Sequence, residues 1–280
     1  MTAGTGASAG RSVLTPEPYS PSPAGPQPAT PLHAFGTFAL ALLIALVLIL
    51  VGEAIGGIPA GLAPVISLQL GGLVAVAIVI LAAELVPRQV LALYRPAVTD
   101  LAGGVLLGAG LTVALAASLA HLYTLGEAEQ HAEAVEQTIT RVWDATGPLV
   151  VVGLIALFAP LAEELVFRGM ILRSLLGRWP AWVAVGLSSL MFAVLHGHLV
   201  HGSITLVLGL ACALATLWRG NIWIAVVIHM AYNSTALFLD MVLGYTDILP
   251  LWTIVPGLAM MGAGIWLVGR GSPAATGGQG

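Results

Sequence analysis

Three ionisable side chains occur together inside an apolar part of this sequence. Only 8% of the 280 residues are charged, yet the segment APLAEELVFRGM brings Glu163, Glu164 and Arg168 directly after the run PLVVVGLIALF. Glu164 and Arg168 are four residues apart, the spacing at which two side chains of a helix can form an ion pair. Glu163 points about 100° away from them and needs a different partner. Since burial raises the proton affinity of a carboxylate, such a group is suited to take a proton from water and to return it later.

Two further apolar segments bring polar side chains to membrane depth at the same spacing of four. The segment SSLMFAVLHGH places Phe192 and His196 on one helical face, and IWIAVVIHMAYN does the same for His229 and Asn233. Taken singly, a buried histidine is more often structural than catalytic, and the two glutamates fit a helix end that dips into the headgroup layer. The set favours chemistry, because unrelated structural residues would not be expected to repeat this spacing on several helices.

These motifs lie in a chain whose composition is that of a membrane protein. Hydrophobic residues make up 58% of it, and its mean hydropathy is +0.99, whereas about a quarter of the residues in a soluble domain are charged. The hydrocarbon core of a bilayer takes about 20 apolar residues of helix, so we expect an all-α polytopic membrane protein with about eight transmembrane helices. The predicted spans are residues 35–56, 62–86, 101–123, 147–172, 181–200, 203–218, 221–242 and 251–268.

The residues outside these spans indicate how the protein is divided into tails and a membrane domain, and how it is oriented in the membrane. Residues 1–32 are rich in Pro, Ser, Gly and Ala, which predicts a disordered cytoplasmic tail, and residues 271–280 are predicted to form a second tail after a helical membrane domain at 33–270. Short cytoplasmic loops are enriched in arginine and lysine. With both termini in the cytoplasm, the arginines outside the spans fall on that side, except for Arg141. We therefore predict an integral, multi-pass protein with cytoplasmic N- and C-termini.

Composition also argues against several kinds of site. The nine basic residues are all arginines and form no basic patch, which indicates that nucleic acid is not a partner. The single cysteine, Cys212, excludes an internal disulfide, and its apolar surroundings indicate a small packed residue. The spacing of His196, His198 and His201 matches no common zinc pattern, and HExxH is absent.

In chain order, the segments EELVFR, FAVLH and HMAYN resemble the three motifs of the CPBP family, EExxxR, FxxxH and HxxxN. This family comprises intramembrane proteases, including the CAAX-type prenyl-protein endopeptidases and bacterial Abi-like proteins. All three motifs match in the family's order within residues 145–240, while the first three predicted spans resemble only generic membrane protein. The resemblance implies peptide-bond hydrolysis inside the membrane, and the family's eight-helix fold agrees with the predicted spans.

The resemblance also implies a role for each motif residue. Glu163 would act as the general base that activates water, and His196 would hold and polarise the same water. His229 and Asn233 would stabilise the oxyanion of the tetrahedral intermediate. The supporting residues of the motifs are Glu164, Arg168 and Phe192.

Two routes for water activation are open at this point. Members of the family are often called metalloproteases, and a Glu, two His and an Asn can hold zinc with a water completing the shell. His196 and His229 are then the first candidates as zinc ligands. A water activated by glutamate without a metal is equally consistent with these residue types. The absence of a compact ligand motif favours the metal-free route, so no cofactor is assigned and zinc remains the alternative.

The expected substrate is a membrane protein or a lipid-anchored peptide met in the bilayer, of which a prenylated CAAX tail is only one kind. An arginine-only, proline-tailed chain indicates a bacterial cell membrane. Two other functions are compatible with the motifs: a proton-coupled transporter, in which Glu163 and the histidines form a relay, and an inactive CPBP-fold scaffold or immunity protein. We see no inverted repeat to support a transporter, and the intact motif residues argue against an inactive scaffold.

Overall fold

The computed structural model describes residues 29–56, 62–120, 127–243 and 249–271, which form helices joined by short turns. The predicted tails therefore lie outside the described residues, apart from residues 29–32 and 271. In chain order the helices are α1 (Pro31–Ile55), α2 (Leu62–Ala82), α3 (Pro87–Val90), α4 (Val98–Ala120), α5 (Glu127–Thr146), α6 (Pro148–Leu176), α7 (Ala181–Val194), α8 (Leu199–Arg219), α9 (Trp223–Leu243) and α10 (Ile254–Arg270).

The helices have the lengths and surfaces of a membrane protein. Within the described residues, α1, α2, α4, α6, α8, α9 and α10 are long and apolar enough to cross a bilayer. Helix α7 carries the predicted fifth span but has only 14 residues, which at about 1.5 Å per residue is shorter than a hydrocarbon core of about 30 Å. Large side chains such as Leu43, Leu81 and Trp266 are exposed, as lipid-facing surfaces require. The chain is an all-α integral membrane protein.

The predicted boundary region between the fifth and sixth spans is wrong. The sequence placed a fifth span at 181–200 and a sixth at 203–218, whereas α7 ends at Val194 and α8 begins at Leu199. His196 lies in the turn between the two helices.

The local sequence explains where this turn forms. Gly197 has a φ of 67°, in the left-handed region that glycine adopts without a steric penalty. His198 follows as the N-cap of α8, and its Nδ1 accepts the backbone N–H of Val200 at 3.3 Å. These two residues reverse the chain and return it into the membrane domain directly after His196.

Missing side chains bring α4 against α9. A Cβ at Gly108 would clash with the backbone oxygen of Ile228, and one at Gly104 would lie 3.1 Å from Cγ1 of Val227. Gly104 and Gly108 form a GxxxG pattern, which predicts close helix packing in membranes. That prediction is confirmed, and the helix held at this contact is the one that carries the HxxxN motif.

Helix α6 carries the EExxxR motif and lies at the centre of the hydrophobic core. Its buried side chains pack among residues of α1, α2, α7 and α8. The buried apolar members contributed by α6 are Val166, Phe167, Met170, Ile171, Leu172 and Leu175. Because the first two helices pack against α6, they surround the motif rather than standing apart from it.

The register of α6 changes on both sides of the glutamates. Its backbone forms wider turns over Gly153–Phe158 and Leu165–Ile171, in which each N–H bonds five residues back, and an ordinary α-helical stretch over Ala159–Glu164. Pro160 is the second residue of that middle stretch and does not break the helix. Such wide turns are frequent at functional sites, and here they enclose the segment that holds both carboxylates.

Candidate active site

Glu164 contacts an arginine of its own helix and a histidine of a second helix. It is fully buried, and its Oε1 accepts a hydrogen bond from Nη1 of Arg168 at 3.0 Å. The same oxygen lies 2.8 Å from Nδ1 of His229 on α9. The ion pair expected from the spacing of four is thus confirmed. The contact with His229 shows that Glu164 also positions a histidine of the third motif.

Arg168 extends this arrangement to α8. Its side chain is fully buried, and Nη2 donates to the backbone carbonyl of Gly209 at 2.9 Å. A Cβ at Gly209 would lie 3.1 Å from that nitrogen, so the glycine makes room for the guanidinium. Arg168 therefore links the first motif to a helix that carries none of the three.

Glu163 has different partners from its neighbour. Its Oε1 accepts a hydrogen bond from Nε2 of Gln69 on α2 at 2.7 Å. Its Oε2 lies 3.7 Å from Nε2 of His229, beyond direct hydrogen-bond distance. The carboxylate is 15% exposed, whereas that of Glu164 is 0% exposed. Of the two glutamates, only Glu163 is open enough to meet a water molecule or a substrate.

His229 lies between the two carboxylates. An ionised Glu164 can only accept a hydrogen bond, so the Nδ1 atom that faces it carries the hydrogen. The Nε2 atom then faces Glu163. His229 is 3% exposed, and this burial holds its ring in one orientation.

His196 approaches the same region from the turn after α7. Its Nδ1 lies 3.0 Å from the backbone oxygen of Phe192, which can only accept, so Nδ1 is the donor. Burial lowers the pKa of His196 below its usual value, because the charged ring would lose its hydration. The ring is therefore neutral near pH 7, with Nε2 available as an acceptor.

Phe192 packs against the polar groups of all three motifs. Its ring centroid lies 4.9 Å from that of His196 and 5.6 Å from that of His229, both edge to face. The guanidinium of Arg168 lies 4.7 Å from the same centroid, a cation–π distance. A single buried aromatic ring sets the separation of the two histidines.

Asn233 contacts the backbone of α6 near a proline. Its Nδ2 donates to the carbonyl of Ile155 at 2.8 Å. In this wide turn the N–H of Ala159 bonds the oxygen of Leu154, five residues back. The next donor in that register would be residue 160, but Pro160 has no N–H. Asn233 therefore donates to the carbonyl that the proline leaves without its helical partner.

A small cavity reaches Glu163 from the side of α1 and α2. Its volume is about 70 Å³, and a buried water needs about 10–15 Å³ of such space. The polar residues that line it are Gln69, Glu163 and His196, and its wall is otherwise apolar. The cavity can hold water beside Glu163 within an apolar enclosure.

The described residues do not form a ready-made zinc site. Among them, no group of three His, Cys, Asp or Glu side chains is placed to share a metal ion. Nδ1 of His229 faces Glu164, and Nδ1 of His196 faces the carbonyl of Phe192, contacts that orient the two rings and leave Nε2 of each to other groups. Because the described residues bring no third side chain of this kind to the two histidines, the proposed reaction uses no metal.

The segment that carries these motifs matches a known family. Residues 145–235 match the model of the type II CAAX prenyl endopeptidases, described as Rce1-like. The motif-bearing segment is Rce1-like. All three motifs fall inside the match, which confirms the resemblance to the CPBP, CAAX-protease-like family. No curated protein and no solved structure matches the chain significantly.

The structure adds a residue from outside the Rce1-like segment. Gln69 lies on α2, in a span that the sequence indicated to be generic membrane protein. The signal for it was present in the sequence, because Gln69 is a long polar side chain inside the apolar run APVISLQLGGLVAV. A buried amide in a transmembrane helix needs a hydrogen-bond partner, but the sequence did not indicate which one.

Proposed function

We propose that this protein is an intramembrane endopeptidase that hydrolyses a peptide bond in a membrane-associated protein or peptide. The observation that carries the proposal is the environment of Glu163. One of its carboxylate oxygens is held by Gln69, and the other faces His229 beside a cavity of water-holding size. An Rce1-like segment, whose family is one of endopeptidases, supports the same reaction class.

The water is activated by Glu163 in this proposal. A water between Oε2 of Glu163 and the histidines donates a proton to the carboxylate, and its oxygen attacks the carbonyl carbon of the substrate. The neutral ring of His196 accepts a hydrogen bond from the same water through Nε2 and so orients it. Glu163 then gives the proton to the leaving nitrogen as the C–N bond breaks, which returns the carboxylate to its starting state.

The negative charge on the substrate oxygen requires donors. His229, oriented by Glu164 through Nδ1, provides one from Nε2 when its ring is protonated. An asparagine amide has two N–H groups, so the bond from Asn233 to Ile155 leaves a second one to direct at the oxyanion. Arg168 compensates the charge of Glu164, which lets two adjacent carboxylates coexist in an apolar interior.

The membrane topology and the cellular location in this proposal are those predicted from the sequence. We propose cytoplasmic N- and C-termini, tails at residues 1–32 and 271–280, a bacterial cell membrane and a metal-free reaction. The substrate is a membrane protein or a lipid-anchored peptide, because most of the residues that line the cavity lie on membrane helices and its wall is mostly apolar.

A cleavage assay tests the proposal. The full chain, purified and placed in lipid nanodiscs, is incubated with a quenched fluorescent library of membrane-proximal peptides. Glu163→Gln should lower the rate by about 10²–10⁴-fold, the usual contribution of general acid–base catalysis. Glu53→Gln, which alters an exposed glutamate on α1, is the matched control and should cleave like the wild type. Equal rates for Glu163→Gln and the wild type, both folded, would contradict the proposal.

A further inference from the structure

Helix α2 brings a neutral hydrogen-bond donor to the carboxylate of Glu163. Gln69 is 5% exposed, and its Nε2 donates to Oε1 of Glu163 at 2.7 Å across 94 residues of sequence. The helix lies outside the Rce1-like segment at 145–235. The contact is therefore supplied by a part of the chain that carries none of the three motifs.

Two glycines allow α2 to come this close. A Cβ at Gly72 would lie 2.9 Å from Cγ2 of Val166, three residues after Glu163 on α6. A Cβ at Gly71 would lie 2.9 Å from the backbone oxygen of Ala41 on α1. A side chain at Gly71 would clash with the backbone of α1, and one at Gly72 would displace the side chain of Val166. The backbone around Gln69 is thus packed for close approach to both neighbours.

The two adjacent glutamates differ in the charge of their donors. Glu164 faces a guanidinium and a histidine ring, while the donor at 2.7 Å from Glu163 is an uncharged amide. A neutral donor fixes the direction of a carboxylate but stabilises its ionised form less than a cation does. Neighbouring carboxylates in different environments take different roles.

We propose that Gln69 is a positioning residue that holds Oε1 of Glu163 and thereby turns Oε2 toward His229 and the cavity. The expected effect of Gln69 on the reaction rate rests on the proposed function. Without the donor, the carboxylate can rotate about its last side-chain bonds, and Oε2 is no longer held 3.7 Å from Nε2 of His229. A displacement of about 1 Å in a reacting group can cost on the order of 100-fold in rate.

Gln69→Met tests this inference, because methionine has a similar length but no N–H donor. The control is Leu70→Met, which alters the next residue of α2, an exposed leucine outside the cavity lining. Full-length proteins in nanodiscs are compared on the best-cleaved peptide. Gln69→Met should lower kcat by about 10- to 100-fold and change KM by less than about twofold. Leu70→Met should leave kcat near the wild-type value.

Infrared spectroscopy tests the contact between Gln69 and Glu163 in a way that does not require catalytic activity. The difference spectrum between the wild type and Glu163→Gln identifies the carboxylate bands of Glu163. Gln69→Met should shift those bands, and Leu70→Met should not. If Gln69→Met fails to fold, Gln69→Asn replaces it, since the shorter side chain withdraws the amide from the carboxylate.

The outcomes separate this inference from the proposed function. If the wild type cleaves peptide and Gln69→Met matches Leu70→Met in kcat and in the carboxylate bands, the positioning role is overturned while the protease stands. If the wild type cleaves no peptide, the proposed function fails. In that case the infrared bands of the Glu163 carboxylate still test the positioning role. A shift of these bands in Gln69→Met supports Gln69 as the group that holds Glu163, and unchanged bands overturn that role.

Discussion

Nδ1 of His229 lies 2.8 Å from Oε1 of Glu164, although the two residues are 65 positions apart in the chain. This contact joins the EExxxR motif on α6 to the HxxxN motif on α9. Arg168 shares the same oxygen at 3.0 Å. Glu164 is therefore the point at which an ion pair within one helix and a histidine from another helix meet, and its loss affects both.

Removing the cation of this group should destabilise the protein. Arg168→Met leaves Glu164 buried without its ion-pair partner, and breaking a buried pair in this way costs about 3–5 kcal/mol. We expect a clearly lower midpoint of thermal unfolding in nanodiscs. Arg178→Met, at an exposed arginine beyond the end of the same helix, is the control and should unfold like the wild type. A midpoint for Arg168→Met equal to that of Arg178→Met would contradict this account.

Asn233 and Pro160 should be energetically coupled. Asn233→Ala removes the donor to the Ile155 carbonyl, and we expect a loss of about 0.5–1.5 kcal/mol of unfolding free energy. Pro160→Ala restores a backbone N–H in the register that reaches this carbonyl. The double variant should therefore lose less stability than the sum of the two single variants. Additive losses in thermal unfolding would show that the two residues do not share the Ile155 carbonyl.

Close packing of α4 on α9 should be sensitive to one methyl group. Gly108→Ala places a Cβ against the backbone oxygen of Ile228, next to His229, and overpacking of this kind costs about 1–3 kcal/mol. We expect lower thermal stability and, since α9 shifts, slower peptide cleavage. Gly36→Ala on α1 has open space around the new methyl and should be neutral or slightly stabilising. Equal behaviour of the two variants would mean that α9 is not held by this contact.

Metal removal should leave cleavage intact. Because the described residues offer no preformed group of three metal-binding side chains, we expect the rate to be unchanged after prolonged dialysis against a strong zinc chelator. The measurement is peptide cleavage before and after dialysis, with a zinc-dependent peptidase treated in parallel to prove that the chelator works. A loss of activity that added zinc restores would favour the alternative in which His196 and His229 hold the metal.

Local patterns in the sequence predicted most of the helices and one contact of the site. Long apolar runs predicted the spans, because a helix that meets lipid must bury its own backbone groups and expose apolar side chains. The spacing of four predicted the ion pair between Glu164 and Arg168, which depends only on the geometry of one helix. The end of the fifth span was placed too late, since the turn at Gly197 depends on a left-handed backbone inside a run that still reads as apolar.

The composition and the three motifs by themselves determined that this is an all-α membrane protein with an Rce1-like segment. Only the tertiary structure decided which groups meet: Gln69 with Glu163, His229 with Glu164, and Asn233 with the carbonyl that Pro160 leaves unpaired. The reason is physical. Helix periodicity is a local property that the sequence records directly, whereas contacts between helices depend on how far each helix slides and rotates against its neighbours. In this protein, glycines that let backbones approach and a single phenylalanine between two histidines set those distances.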